Sequence, residues 1–325
     1  MNSTFIFVGT SNSTLATSRF AKLQENSVQN SFLLIWFEKQ IGIQRIFGVF
    51  KLFLLLLHHR KATWICHGAY WPELILHMLL RTKFSVIIQG SEMNLSGKVR
   101  GKIYRWTLKN AYAIGCRTLD QMKAINAISA QLRPFILRMD EYELPIKTDE
   151  FERTNIVSAR ASGSIYRQSV VVNIADQIKN VLKSDNQSIY LCYNGPDIDP
   201  DNEMFDTKLI GPINKTSLSK LLAKAYCIIS IPKTDGLSNI VIEALIQGAL
   251  IISSEASFKT EFEAFRDRFI IVPEKVLHEP VALYEFLKIQ LKEVNLDFTY
   301  TEALAVHNKF SFDVKSLSLL LGRNV

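Results

Sequence analysis

Two carboxylates eight residues apart, Asp235 and Glu243, are the side chains of this sequence best placed to do chemistry. Asp235 lies in a short polar loop, and Gly236 follows it just before a predicted helix. Glu243 lies inside that helix among apolar residues, where an ionised carboxylate is costly unless a salt bridge or a ligand satisfies it. Backbone amides at the amino end of a helix suit an anion. These groups could together hold a sugar, its phosphates and a ribose.

The surrounding residues predict a strand, a loop, a helix and a second strand. Apolar runs at Tyr226–Ile231 and Leu250–Ile252 are typical of buried strands. Ser238 is a suitable N-cap, and Gly248 lies where a helix of about ten residues should end. The predicted helix therefore begins beside the loop that carries the first carboxylate.

Residues 235–244 read Asp-Gly-Leu-Ser-Asn-Ile-Val-Ile-Glu-Ala. This segment resembles the donor-binding signature of family-4 retaining glycosyltransferases, which have the GT-B fold and carry two Glu residues at this spacing. The resemblance implies that Asp235, shorter than the family's Glu by one methylene, binds donor-sugar hydroxyls and that Glu243 binds the nucleotide ribose. It also implies a donor-binding role for the residues between them, which include Gly236, Leu237, Ser238 and Asn239.

Two cations follow the first predicted strand of the second half of the chain. Sugar transfer from a nucleoside diphosphate builds negative charge on the departing diphosphate, which positive side chains stabilise. The resembling family has Arg and Lys here, which implies this role for Arg160 and Arg167, although either could be a surface cation. Gly211 and Ile213 resemble the family's backbone segment that pairs with the nucleotide base.

Polar residues also follow apolar strands in the first half of the chain, where open α/β sheets place ligand contacts. His67 and the group Gln89, Gly90 and Glu92 resemble strand-end elements of the same family. The resemblance implies that they lie on the acceptor side. A histidine at the end of a strand is also commonly a structural residue.

No metal or organic cofactor is predicted, and the expected co-substrate is a nucleoside-diphosphate sugar. Asp197 and Asp199 form a D-x-D triplet, but it lies in a loop with two prolines, and the resembling family uses cations and helix amides instead of a metal. No His, Cys and carboxylate cluster has ligand spacing. The four cysteines are scattered, which favours buried thiols in a reducing compartment.

The chain of 325 residues is long enough for two domains, and 48% of it is hydrophobic. Both halves alternate apolar strands with amphipathic helices, which is typical of doubly wound α/β domains. We predict an α/β protein of the GT-B type, with two Rossmann-like domains that face a cleft. The acceptor-side domain covers residues 1–145, and the nucleotide-sugar domain covers residues 146–325, whose last helix could pack back on the first domain.

The patterns predict the bounds of the individual elements. In the first half the strands are Thr4–Val8, Phe32–Phe37, Thr63–Cys66, Ser85–Ile88, Ala111–Ile114 and Phe135–Leu137. The helices there are Thr14–Gln24, Ile43–His58, Tyr70–Leu80, Lys98–Leu108 and Leu119–Ser129. In the second half the further strands are Asn155–Ser158, Ser188–Cys192, Lys208–Ile210 and Phe269–Val272. The helices there are Gln168–Leu182, Ser217–Ala225, Pro280–Leu291 and Thr301–His307.

The net charge of +7 is concentrated in the first half of the chain. Residues 1–150 carry 19 Lys and Arg against 10 Asp and Glu, whereas the remainder carries 19 against 21. Anionic lipid, a lipid-pyrophosphate acceptor and nucleic acid could each face such a surface, which could also be merely solvated. The basic, aromatic-containing helix Lys98–Leu108 suits a membrane surface. No nucleic-acid-binding motif accompanies it.

The resulting prediction is a metal-independent retaining hexosyltransferase that uses a nucleoside-diphosphate sugar and a glycan acceptor. The preferred acceptor is a lipid-linked oligosaccharide of bacterial surface polysaccharide assembly. The N-terminus lacks a signal-peptide pattern and Ile46–Leu57 is too short to span a bilayer, so we expect a cytoplasmic protein, peripheral at most to the inner face of the membrane. The alternatives are a non-catalytic GT-B subunit that binds a partner or glycan, and a GT-B epimerase or hydrolase.

Overall fold

The chain forms two compact units in the computed structural model. The first comprises Met1–Glu141 and Phe312–Val325, and the second comprises Tyr142–Ser311. The structure describes residues 5–10, 31–36, 43–67, 71–88, 98–129, 131–138, 140–146, 153–159, 166–182, 189–191, 207–209, 214–233, 237–256, 258–294 and 297–321.

The first unit is built on a sheet of six described strands that pair in parallel, in the order β2-β1-β3-β4-β5-β6. A helix follows most of these strands and returns the chain to the next one, as parallel pairing requires. The strands are β1 (Phe5–Thr10), β2 (Ser31–Trp36), β3 (Thr63–His67), β4 (Lys83–Ile88), β5 (Ile114–Cys116) and β6 (Pro134–Ile136).

Side chains alternate between the two faces of this sheet, and a different set of helices covers each face. Trp64 and Cys66 pack in one core with residues of helices α1, α3 and α4. Ile65, between them, packs in the other core with Leu317 and Leu320 of the last helix. The helices are α1 (Ile43–His58), α2 (Trp71–Leu79), α3 (Lys98–Asn110), α4 (Leu119–Ile128) and, from the end of the chain, α10 (Val314–Leu321).

The second unit has a sheet of six described parallel strands in the order β12-β11-β10-β7-β8-β9. This order reverses between its two central strands, as in the Rossmann arrangement 3-2-1-4-5-6. The strands are β7 (Asn155–Ser158), β8 (Ile189–Leu191), β9 (Thr207–Leu209), β10 (Ala225–Ser230), β11 (Leu250–Ser254) and β12 (Phe269–Val272).

Helices cover both faces of this second sheet. One core joins residues of α5 and α8 to the sheet, and the other joins residues of α6, α7 and α9. The helices are α5 (Gln168–Leu182), α6 (Lys215–Ala223), α7 (Asn239–Ile246), α8 (Pro280–Glu293) and α9 (Tyr300–Phe310), and a 3-10 helix covers Thr260–Arg268.

Most of the predicted elements that the structure describes are confirmed, including the bounds of α1, α5, β7 and β12. The predicted strand Ala111–Ile114 is wrong in position, because α3 continues to Asn110 and the Ala111 amide still donates to the Leu108 carbonyl. The 3-10 helix Thr260–Arg268 and α10 were not predicted. The predicted helix Thr14–Gln24 lies outside the described residues.

The cysteines that the structure describes are buried free thiols, as expected. They are Cys66, Cys116 and Cys227, whereas Cys192 lies outside the described residues. Burial raises the pKa of the Cys116 thiol to about 12 and raises that of Cys227 as well. Within the described part of the chain, no helix has both the length and the apolar character needed to cross a bilayer.

Candidate functional site

The candidate site lies at the point where the strand order of the second sheet reverses. There β7 and β10 pair side by side, with Val157 in register with Ile228. In open α/β sheets, ligands bind outside the carboxyl ends of the strands at such a point. The chain leaves β7 towards Arg160 and leaves β10 towards Asp235. Arg160 and Asp235, two of the three predicted catalytic residues, therefore follow the two strands that flank the reversal, although they themselves lie outside the described residues.

Helix α7 begins where the sequence predicts, shortly after Asp235 in the sequence. Ser238 is its N-cap residue, with an extended backbone, and is buried. Its carbonyl accepts the first helical hydrogen bond, from the Ile242 amide at 3.2 Å. The Ser238 side chain makes no capping hydrogen bond, so the predicted N-cap is correct in position but not in its side-chain contact.

Only two of the eight residues of α7 are half-buried, Asn239 and Glu243. The other six are apolar and buried in the core of the unit. Residues four apart lie on the same face of a helix, so Asn239 and Glu243 form one polar stripe that begins at the amino end of α7. Leu237, just before the helix, is also half-buried. The predicted donor residues within the described part of the chain are thus brought together.

The carboxyl end of α7 closes at Gly248, as predicted. Gly248 has φ +74°, and its amide donates to the Leu245 carbonyl while the Ala249 amide donates to the Ala244 carbonyl. These two bonds form a Schellman motif, which a glycine in the left-handed conformation allows.

Two guanidinium groups, that of buried Arg268 and that of half-buried Arg153, bind the last carbonyls of this helix. Arg153 Nη2 donates to the Gln247 carbonyl at 2.8 Å, and Arg268 Nη2 donates to the Gly248 carbonyl at 2.7 Å. Positive charge at a helix carboxyl end is favourable, and burial lowers the pKa of both arginines. The two arginines therefore stabilise the helix that carries Glu243.

The segment that opens the second unit holds α7 at both ends. The Tyr142 hydroxyl donates to Asn239 Oδ1 at 3.1 Å, next to the amino end of the helix. At the other end the Ile146 amide donates to Gln247 Oε1 at 3.0 Å, and Gln247 Nε2 donates to the Leu144 carbonyl at 3.1 Å. Side chains held in this way keep a site pre-organised.

Arg167 is paired with a carboxylate that sequence reasoning did not identify. It precedes α5 with φ 52°, and its carbonyl accepts hydrogen bonds from the first turn of that helix. Its two terminal nitrogens contact both oxygens of Glu274, at 2.9 and 2.8 Å. Glu274 follows β12, and the hydrogen bond from Arg167 lowers the pKa of its carboxyl group. A diphosphate would therefore compete with Glu274 for this cation.

His67, predicted on the acceptor side, is the last residue of β3 and is buried. Burial lowers the pKa of its imidazole to about 3, so the ring is neutral at physiological pH. Within the residues that the structure describes, no three His, Cys, Asp or Glu side chains are grouped to hold a metal. The remaining predicted residues lie outside the described residues: Gln89, Gly90, Glu92, Gly211, Ile213 and Gly236.

The sequence analysis did not identify the residues that hold α7 and Arg167 in place. Only some of these residues have a feature in the sequence that could have revealed them. Tyr142 stands out as an aromatic residue in an acidic connecting segment, which is a sign of packing, whereas exposed Leu144 contributes only its carbonyl, which no side-chain pattern indicates. Glu274 and Arg153 carry no local signal, because each meets its partner from a distant part of the chain.

No family model matches the sequence, and no curated protein matches it either. Solved structures do match the fold. HepE of Anabaena, solved with UDP-glucose, aligns over 99% of both chains with a TM-score of 0.66 and 8% identity. Sucrose-phosphate synthase of Thermosynechococcus elongatus aligns over 99% of this chain and 98% of its own, with a TM-score of 0.66 and 13% identity.

The pneumococcal O-GlcNAc transferase GtfA, solved with UDP and GlcNAc, is similar over 85% of this chain, with a TM-score of 0.64 and 11% identity. The chain spans 58% of the length of that transferase. These likenesses and the two parallel-sheet units show the fold: the chain has the GT-B fold with two Rossmann-like domains. The predicted fold class and the resemblance to GT-B glycosyltransferases are confirmed.

Proposed function

We propose that this protein is a retaining glycosyltransferase that moves a hexose-like unit from a nucleoside-diphosphate sugar to a glycan acceptor. The observation that carries the proposal is the polar stripe of Asn239 and Glu243, on an otherwise buried helix beside the reversal of the second sheet. Structures of the same fold have been solved with UDP or UDP-glucose, which favours a uridine nucleotide.

Each side chain of the proposed donor site has a separate role. In the domain of residues 146–325, Glu243 accepts hydrogen bonds from the ribose hydroxyls, and Asp235 accepts them from the sugar. Arg160 and Arg167 stabilise the charge that develops on the departing diphosphate, so the reaction proceeds without a metal. The acceptor hydroxyl attacks from the face that the diphosphate leaves, which retains the anomeric configuration.

The basic first domain, residues 1–145, faces the acceptor in this proposal. Its excess of Lys and Arg suits a lipid-linked oligosaccharide, whose pyrophosphate is anionic, and the anionic inner face of a membrane. His67, Gln89, Gly90 and Glu92 lie on this side. The proposed role is a sugar-transfer step in bacterial surface polysaccharide assembly.

Calorimetric titration with UDP, GDP and ADP tests the donor site directly. We expect micromolar binding of one nucleotide, and Glu243→Ala should weaken it by about tenfold or more because the ribose loses its acceptor. Asp176→Ala is a matched control, since Asp176 is another half-buried helical carboxylate of the same unit. The absence of binding to all three nucleotides would overturn the proposal.

A non-catalytic GT-B subunit is the second candidate, and the bidentate pair of Arg167 with Glu274 favours it. In such a subunit the pair would be a permanent structural contact. Release of free sugar or transfer to an acceptor, measured with the nucleotide sugar whose nucleotide binds, separates the two candidates. Nucleotide binding without any turnover would support the second.

A further inference from the structure

One face of helix α1 presents large apolar side chains to solvent. Phe47, Phe50, Leu54 and Leu57 are 67%, 57%, 49% and 44% exposed. Their spacing of three, four and three residues places them on a single face of the helix. Packing in the core explains the opposite face, where side chains such as Leu56 are fully buried, but it does not explain this one.

Of the two neighbouring helices, α3 extends this face with positive charge, whereas α2 contains no Lys or Arg. Helix α2 packs against α1 and α3, and α1 and α3 contribute to the same core on one side of the sheet. The exposed positions of α3 include Lys102, Arg105, Trp106 and Lys109, whose spacing again marks one helix face. We call the outer surface of these three helices the α1–α3 face.

The edge of the first sheet at which β3 and β4 begin is also basic, and we call it the rim. The register of Thr63 with Lys83 places the residues just before β3 and β4 at the same edge of the sheet. Exposed Leu79 ends α2 just before β4, and exposed Tyr112 lies between α3 and β5, where Lys83 Nζ is 3.7 Å from the centre of the Tyr112 ring. The exposed cations of this rim are Arg60, Lys61, Arg81 and Lys83.

Charge complementarity identifies the occupant of this face. Residues 43–118 contain twelve Lys and Arg but only two acidic residues, Glu73 and Glu92. A second copy of the chain would cover the apolar stripe but would bring two basic surfaces together. An anionic bilayer satisfies both features, because its headgroups attract the cations and its acyl boundary accepts apolar and aromatic side chains.

We propose that the α1–α3 face docks onto an anionic lipid bilayer. Phe47, Phe50, Leu54 and Leu57 enter the boundary between headgroups and acyl chains, and the surrounding Lys and Arg side chains contact lipid phosphates. The inference deepens the membrane association within the proposed function by naming its surface. Docking requires neither nucleotide nor turnover, so its failure would leave the proposed donor site unaffected.

Co-sedimentation with sucrose-loaded vesicles tests the apolar part of this surface. We expect the protein to bind phosphatidylcholine vesicles that contain about 30% phosphatidylglycerol, and to bind pure phosphatidylcholine at least about tenfold more weakly. The double variant Phe50→Ser/Leu54→Ser should lose about tenfold in vesicle affinity. Val281→Ser/Ile289→Ser, on exposed positions of α8, is the matched control and should bind like the wild type.

The charged part is tested with Lys102→Glu/Lys109→Glu against the control Lys288→Glu/Lys292→Glu. Lys102, Lys109 and Lys292 are exposed, and Lys288 is half-buried. Only the first pair should weaken vesicle binding, and raising the salt from about 0.05 to 0.5 M should weaken binding of the wild type. Unchanged circular dichroism verifies folding of every variant. Two results would overturn the proposal. One is that the wild type binds neutral and anionic vesicles equally well. The other is that it binds no vesicles but forms a dimer, which the Phe50→Ser/Leu54→Ser variant dissociates.

Discussion

At the scale of single residues, Glu274 and the proposed diphosphate compete for the guanidinium group of Arg167. Its pair with Glu274 is bidentate, and solvent reaches the pair from the side of Glu274, whose side chain is 52% exposed while that of Arg167 is 11% exposed. Glu274→Gln should therefore strengthen nucleotide-diphosphate binding about two- to fivefold by calorimetry, since the diphosphate no longer displaces a carboxylate. Glu285→Gln, another exposed carboxylate of the unit, should have no effect. Unchanged affinity in Glu274→Gln would show that Arg167 does not contact the diphosphate.

A second prediction for a single residue concerns His67 and the dependence of folding stability on pH. Burial lowers its pKa to about 3 in the folded state, whereas an unfolded histidine titrates near pH 6.5. Below about pH 6.5 the unfolded state binds a proton that the folded state does not, so folding stability falls as the pH falls. In urea unfolding, the loss between pH 7 and 5.5 should be about 1 kcal/mol smaller in His67→Gln than in the wild type. An identical loss in both proteins would contradict the prediction.

At the scale of elements, the end of α7 depends on one glycine. Gly248 has φ +74°, and a Cβ added there would lie 2.8 Å from both Arg153 Nη2 and Phe298 Cδ1. Gly248→Ala should lower the free energy of unfolding by about 1–3 kcal/mol, measured in urea, because it adds backbone strain and displaces the capping arginine. Gly101→Ala is the control, since Gly101 lies within α3 and is expected to be neutral or stabilising. A loss in the control equal to that in Gly248→Ala would refute the argument.

Some of these helices and strands could be predicted from the sequence, and others could not. The strand, loop and helix around Glu243 were predictable because a cap, a terminating glycine and a buried apolar run all lie within about 25 residues. The strand at Ile114 was placed too early, because its apolar signal overlaps the end of α3 and includes a glycine. Gly115 is closely packed there, since a Cβ would lie 3.1 Å from the Leu137 side chain, which would have to shift. Such a close approach arises only when the strands are packed.

At the scale of the whole molecule, residues far apart in the sequence determine what local patterns could not show. Arg167 and Glu274 are separated by 107 positions, and Ser85 donates to the carbonyl of Leu320, 235 positions away. The chain completes the second unit and then returns to the first through α10. Alternating strands and helices predicted two doubly wound domains, but the hydrogen bonds that Tyr142 and Ile146 make to the two ends of α7 emerged only from the folded chain.

Because α10 belongs to the first unit, a substitution in this helix tests whether the two units unfold independently. Leu320 of α10 is fully buried against the first sheet, whereas its neighbour Leu319 is 53% exposed. Leu320→Ala should cost about 2–5 kcal/mol of unfolding free energy, and Leu319→Ala almost nothing. All four tryptophans lie before residue 142, so their fluorescence reports unfolding of the first unit alone. Nucleotide binding measured by calorimetry, in contrast, reports on the second.

Leu320→Ala should therefore shift the tryptophan-detected urea transition to lower denaturant while nucleotide affinity stays at the wild-type value. The predicted domain bounds place this helix at the end of the second domain but allow the last helix to pack back on the first, which this result would support. Weakened nucleotide binding in Leu320→Ala, with an unchanged tryptophan transition, would contradict the assignment of α10 to the first unit. Loss of both would show that the two units unfold as one cooperative body.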